Sequence, residues 1–179
     1  MLSPLKNIFY KIGCLDGVVP YNFHYLCNTN NLIGDKMIEI RKITTTSVEL
    51  LEAIERLLPQ LSQSAQMPNS QYIERMVCGD NTHLFVAELD GVIVGMLSLA
   101  IVDIPTGRKV WIEDVVVDET ARGLHIGKAL VERAVAEAEL LGAKKIYLTS
   151  NPSRKVAHAL YAKCGFECYD TSLFRLKLQ

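Results

Sequence analysis

The sequence predicts an α/β domain: a mixed, mostly antiparallel central sheet flanked by helices. Three observations lead there. Two β-type runs meet across Asp90-Gly91, a strong hairpin signal that requires antiparallel neighbours. Further on, strand-like and helix-like runs alternate, the pattern of strand-helix-strand connections between parallel strands. No segment repeats and none is of low complexity. The predicted order is β-α-α-β-β-β-α-β-α-β-β.

Each element has its own signal. Residues 38–43 open the domain with apolar-polar alternation, Ile-Glu-Ile-Arg-Lys-Ile. Ser47 is a natural N-cap, and Val48, Leu51, Ile54, Leu57 and Leu58 recur at helical spacing up to Pro59. A polar loop over 60–69 follows, and Ser70 opens a short helix that ends near Gly79. Residues 83–88 and 92–102 form the hairpin, and Pro105-Thr106-Gly107 turns into a strand over 110–117. Ile126, Leu130, Ala134, Ala138 and Leu141 lie on one helical face, with Gly142 placed to end the helix. A strand over 145–149, a helix over 153–163 stopped by Gly165, and two short strands within 166–178 complete the order.

Residues 1–36 read differently. They scatter aromatics (Phe9, Tyr10, Tyr21, Phe23, Tyr25) with neither period, and the pattern changes at Met37. This stretch is read as an N-terminal extension, poorly ordered or upstream of the native start, ahead of a domain over 37–179. An arm covering an apolar patch is the competing reading.

Composition removes several classes. Of 179 residues, 49% are apolar and 22% charged, which is globular and argues against disorder. Nineteen basic against twenty acidic residues leave a net charge of −1, which supports neither nucleic-acid nor membrane binding. No apolar run approaches the roughly 18 residues of a membrane-spanning helix. Five cysteines (Cys14, Cys27, Cys78, Cys164, Cys168) make an odd set without Cys-x-x-Cys, as expected of reduced thiols in the cytoplasm. Cys164 and Cys168 read as small buried apolar residues. His83 and His158 lack partners at ligand spacing, so no metal is expected.

The chemistry concentrates between Val110 and Lys128. A strand over 110–117 runs through Asp118 to Ala121 into Arg122-Gly-Leu-His-Ile-Gly-Lys, where a helix begins. The first N–H groups of a helix have no internal acceptor and its dipole is positive there, so a phosphate or pyrophosphate is the expected guest. Gly123 and Gly127 let a ligand approach the backbone, and Arg122 and Lys128 add charge. A P-loop does not fit, because Ala129 stands where a hydroxyl must follow the lysine. Gly-x-Gly-x-x-Gly and Gly-x-Ser-x-Gly are absent, against dinucleotide binding and serine hydrolysis.

Arg122 to Gly127 resembles the pyrophosphate motif of the GNAT family of N-acetyltransferases, Arg/Gln-x-x-Gly-x-Gly/Ala. The resemblance covers 37–179. It is carried also by the hairpin over 86–96, by Ile-Glu-Asp-Val-Val-Val over 112–117, and by Asn151 with Ala-Leu-Tyr-Ala-Lys-Cys-Gly-Phe over 159–166. Residues 112–117 are similar to the corresponding strand of glucosamine-phosphate acetyltransferases, one short stretch that does not fix a substrate. His125 departs from the pattern at its first glycine. It is expected in the first helical turn with negative φ, where the departure is harmless.

The resemblance implies the family's fold and an acetyl-CoA-dependent transfer of an acetyl group to a primary amine of a small molecule, an amine or amino sugar. Alternatives are a protein amine as acceptor, or a non-catalytic acyl-CoA sensor. Val115, Val116 and Val117 would pair with the pantetheine arm, and the amides of Arg122, Gly123, Leu124, His125, Gly127 and Lys128 would hold the pyrophosphate. Asn151 would contact the cofactor and steer the next helix. Tyr161 would be the general acid, with packing under the cofactor as its alternative role. Glu113 would be the base, acting through water; Glu113 and Asp114 alternate faces, so one alone should face the cleft. Direct attack without a protein base is the other route. The loop over 60–69 and the second helix would form the acceptor wall. A homodimer is implied; a metal, nucleic acid or membrane is not.

Overall fold

The computed structural model describes residues 29–33 and 36–178. Among them the elements run β1 (Thr29–Ile33), β2 (Lys36–Ile43), α1 (Val48–Leu61), α2 (Ser70–Cys78), β3 (Thr82–Leu89), β4 (Val92–Ile104), β5 (Gly107–Val117), a 3-10 turn (Glu119–Ala121), α3 (Ile126–Leu140), β6 (Ile146–Leu148) and α4 (Lys155–Lys163). The sheet order is β1-β2-β3-β4-β5-β6, antiparallel except for the parallel pair β5–β6. This is the expected mixed, mostly antiparallel sheet flanked by helices.

Alternation sorts side chains to two faces. In β3, Leu84 and Val86 join Leu50, Ile54 and Leu57 of α1 and Ile73 and Val77 of α2. Phe85 and Ala87 point the other way, onto Ile126, Leu130, Val131 and Ala134 of α3. The sheet is therefore covered on both sides, which accounts for the unbroken apolar run in its central strands.

Local signals behave as their chemistry requires. Ser47 Oγ accepts from Leu50 N–H (3.2 Å), and Asn69 Oδ1 caps α2 through Tyr72 N–H (2.8 Å). Asp90 and Gly91 both have positive φ, 51° and 83°, the geometry of a type I′ hairpin turn. Gly142 ends α3 at φ 73°: its N–H reaches Glu139 O (2.9 Å) while Ala143 N–H reaches Ala138 O (3.0 Å). α4 ends the same way around Gly165.

Four expectations need correction. α1 continues past Pro59 to Leu61, because Ser62 N–H still closes on Leu58 O (3.0 Å) and the proline removes only its own bond. Residues 29–33, read as aperiodic, pair with β2 from Thr29↔Ile40 to Ile33↔Lys36; five residues are too few to display a period. The two strands expected within 166–178 are not formed. Leu173, Phe174, Leu176 and Leu178 are 76–90% exposed, and β6, at three residues, offers them little edge to pair with. Cys168 is exposed, against the expectation of a buried residue, while Cys164 is half-buried and packs against the α3 core. Residues 1–28, with Cys14 and Cys27, lie outside the described residues.

Candidate active site

The site begins where two strands part. β5 and β6 stay paired from Val110↔Ile146 to Ile112↔Leu148, with Trp111 stacked on Tyr147 at 5.1 Å, and then diverge. At the same point β5 bulges. Ser98 faces Glu113 and Met96 faces Val116, so Asp114 and Val115 stand opposite Leu97 alone. Asp114 takes φ 53°, which aspartate tolerates better than most residues. The bulge overturns the expectation that Glu113 and Asp114 face opposite ways: both line a cavity of about 240 Å³, with Leu61, Ser62, Val115, Thr149, Ser150, Arg154 and Tyr161.

The bulge decides the electrostatics. Glu113 is open at the mouth, yet burial of its carboxyl by the cleft walls raises its pKa, and the neighbouring Asp114 carboxylate raises it further. The Tyr161 hydroxyl is also pushed up, chiefly by burial and then by Glu113 and Cys164, against a lowering by Arg154. A carboxylate made more basic and a phenol kept protonated thus share one cavity. Tyr161 also packs edge-on against Phe166 at 6.1 Å, so its packing role coexists with its place in the cleft.

Beyond the bulge, Asp118 secures the turn into α3. Its carboxylate accepts from Thr120 Oγ1 (2.7 Å), Thr120 N–H (3.0 Å) and Arg56 Nε (3.1 Å), and its N–H donates to Val94 O (2.8 Å). These bonds, the Thr120 hydroxyl foremost, hold its carboxyl below the usual range. Gln60 Oε1 accepts from Glu119 N–H (2.9 Å), so α1 grips the turn twice. Sequence reasoning passed over Asp118 and Arg56 because their contact spans 62 residues.

His125 is the N-cap of α3, at φ 57°, and its side chain makes no capping bond. The expectation of a negative φ fails. The chain needs the left-handed region here to turn from the Gly123 loop (φ 85°) into the helix, and histidine adopts it without glycine's freedom. The first helical bond is Ala129 N–H to His125 O (3.1 Å). No acceptor among the described residues takes the N–H groups of residues 123–128, which leaves a run of free donors at the positive end of a 15-residue helix.

The other expected residues distribute unevenly. Val115 lines the cavity, Val116 is buried against α1, and Val117 is half-buried beside α3. Arg122 lies on the loop with its Nε toward Val117 O (3.4 Å), and Leu124 packs on the α3 core. Lys128 pairs with Glu132 (2.6 Å), so its charge is already partnered. Gly127 serves packing: a Cβ there would meet Leu160 Cδ2 of α4 at 3.2 Å. Asn151 Oδ1 accepts from Ser153 N–H (2.9 Å) and Oγ (2.8 Å) in the turn that leads into α4, and Asn151 itself does not line the cavity.

Ser150 and Arg154, which sequence reasoning missed, stand in that turn. Arg154 donates to Leu61 O (2.8 Å) at the end of α1. A signal did exist: both follow the carboxyl end of a parallel strand, where crevices open in such sheets.

The chain matches the Acetyltransferase (GNAT) family over residues 49–166. This chain belongs to the GNAT family of acetyltransferases. It is 32% identical over 140 residues to a rice (Oryza sativa subsp. japonica) protein named "probable glucosamine 6-phosphate N-acetyltransferase 2", covering 72% of this chain and 81% of that one. Glucosamine-6-phosphate N-acetyltransferase from Arabidopsis thaliana superposes with a TM-score of 0.65 at 26% identity, over 78% of this chain and 97% of that one. An aminoglycoside acetyltransferase from an uncultured soil metagenomic sample, solved with sisomicin, shares the fold at TM-score 0.72 and 18% identity, over 79% of this chain and 97% of that one. For a GNAT protein the free N–H run fits a pyrophosphate, and the open edge of β5 beyond Ile112 fits an extended arm. Among the described residues no cluster of three or more His, Cys, Asp or Glu side chains could hold a metal, and no helix is long and apolar enough to cross a membrane.

Proposed function

We propose that this GNAT protein transfers an acetyl group from acetyl-CoA to the primary amine of a small polar acceptor, an amino sugar foremost. The observation that carries this reading is the β5 bulge, which brings Glu113 and Tyr161 into one cavity with their pKa values both raised. Acetyl-CoA, when bound, supplies the activated acetyl thioester. The amides of residues 123–128 would hold its pyrophosphate, with Arg122 nearby, and the backbone of Val115 to Val117 would pair with its pantetheine arm.

An alkylammonium with a pKa near ~10 must lose a proton before it attacks. Glu113 takes that proton through a water, the nitrogen forms its bond to the acetyl carbon as the carbon–sulfur bond breaks, and Tyr161 gives its proton to the departing thiolate. Two carboxylates and one guanidinium line the cavity, which suits an acceptor with an ammonium and an anionic group. That, with the names of the rice and Arabidopsis relatives, makes glucosamine 6-phosphate the first acceptor to try. The free thiols Cys78, Cys164 and Cys168 suit a reducing cytoplasm. The homodimer belongs to the same reading and is checked by sedimentation velocity.

The test is a screen of wild type, Tyr161→Phe and Glu113→Gln against glucosamine 6-phosphate, glucosamine, aminoglycosides and simple alkylamines, with calorimetric titration of acetyl-CoA. The expected result is acetylation of at least one amine, a fall in kcat of about 10²-fold or more in either variant, and near-normal acetyl-CoA affinity. Acetyl-CoA binding without turnover of any amine would overturn the proposal in favour of a sensor.

A further inference from the structure

Ser150 Oγ is, among the described residues, the one buried side-chain polar atom with no hydrogen-bond partner. An unpaired buried hydroxyl is costly, and in native proteins such a group calls for an explanation. Ser150 lines the cavity that holds Glu113 and Tyr161. Its turn is tied to the end of α1 by Arg154, whose guanidinium donates to Leu61 O (2.8 Å), and Leu61 and Ser62 line the same cavity.

We propose that Ser150 is a specificity-determining residue for the acceptor: its hydroxyl hydrogen-bonds a polar group next to the reacting nitrogen and so selects hydroxyl-bearing amines over plain alkylamines. The inference rests on the acetyltransferase reading above. A serine hydroxyl both donates and accepts, so it serves an amino alcohol in either sense. An alkylamine would fill the same space and leave the hydroxyl unpaired, which is how a polar site rejects an apolar analogue.

The experiment compares wild type, Ser150→Ala and Ser150→Thr on the screened amine that wild type acetylates fastest, glucosamine 6-phosphate being tried first. Acetyl-CoA affinity is measured by calorimetry and thermal unfolding is followed without ligand. Ser150→Ala should raise the acceptor KM about 5- to 10-fold, as expected for one uncharged hydrogen bond, with kcat and acetyl-CoA affinity within about 2-fold of wild type. Its melting temperature should hold or rise, because the substitution removes an unpaired group, and Ser150→Thr should restore KM at least in part. An unchanged KM in Ser150→Ala would assign the hydroxyl to ordered water, and weakened acetyl-CoA binding with unchanged KM would assign it to the cofactor; either overturns this inference alone. A wild type that acetylates none of the amines overturns the parent reading and this inference with it.

Discussion

His125 holds φ 57°, in the left-handed region that an L-residue enters at a cost, and its side chain caps nothing in return. The left-handed region costs such a residue roughly 1–2 kcal/mol, while glycine gives back about 0.5–1 kcal/mol through the entropy of its unfolded chain. His125→Gly is therefore expected to stabilise the protein by up to about 1 kcal/mol, read as a rise of a few degrees in thermal unfolding. Nothing in the sequence reported that sign of φ: the residue falls at a helix start, and a cap and a first-turn residue differ by one position. Glu113 and Asp114 were unreadable for a related reason. Strict alternation assumes an unbroken ladder, and the bulge that gathers both carboxyls depends on register against Ser98 and Met96. With Glu113 as base, kcat/KM should climb with pH through a limb displaced upward from an ordinary glutamate, since the group works only when deprotonated and its pKa is raised. That limb should vanish in Glu113→Gln.

α3 and α4 meet through an atom that is missing. Gly127 presents no Cβ to Leu160, and the space that a Cβ would occupy is bounded at 3.2 Å. Alanine there gains helix propensity of about 1 kcal/mol and asks only that the end of a flexible leucine shift, so Gly127→Ala should be close to neutral. Gly127→Val pushes further and should cost about 1–3 kcal/mol, measured by chemical denaturation, with Tyr161 displaced along with α4. The helices themselves were plain in the sequence, because capping residues and Gly142 mark their ends chemically. The chain end was not. Phe174, Leu176 and Leu178 alternate with Arg175 and Lys177, which tells that a strand can form there. Pairing also needs an edge, and three-residue β6 barely supplies one. The loop at Arg122–Lys128 was legible as a glycine-containing entry to a helix with free N–H groups, whereas Ser150 and Arg154 were not, since a turn acquires meaning only once strands have parted beside it.

Across the whole molecule, charge is buried on the α3 face of the sheet. Glu137 receives Lys42 (3.1 Å), His83 (2.9 Å) and Arg133 (2.9 Å), and Arg133 in turn lies over Phe85 at 4.8 Å. The His83 hydrogen bond foremost, then Lys42 and Arg133, hold the Glu137 pKa at about 2 against an ordinary 4.5. A carboxylate with a depressed folded pKa contributes stability above its unfolded pKa and loses it as pH falls toward 2. Glu137→Gln should cost about 3 kcal/mol at neutral pH and flatten the loss of stability between pH 4.5 and 2, both read from denaturant melts. The grip of α1 on the turn before α3 has a different reach. Arg56 and Gln60 hold the 118–119 turn while Leu61 and Ser62, at the end of the same helix, wall the cavity. On the proposed reading one lever touches both ligands, and free energy spent at either end is felt at the other. Heterotropic linkage requires the effect to be reciprocal: whatever factor acetyl-CoA applies to amine affinity, the amine applies to acetyl-CoA. Paired calorimetric titrations should return one and the same factor in both directions, and Arg56→Met should bring it toward unity.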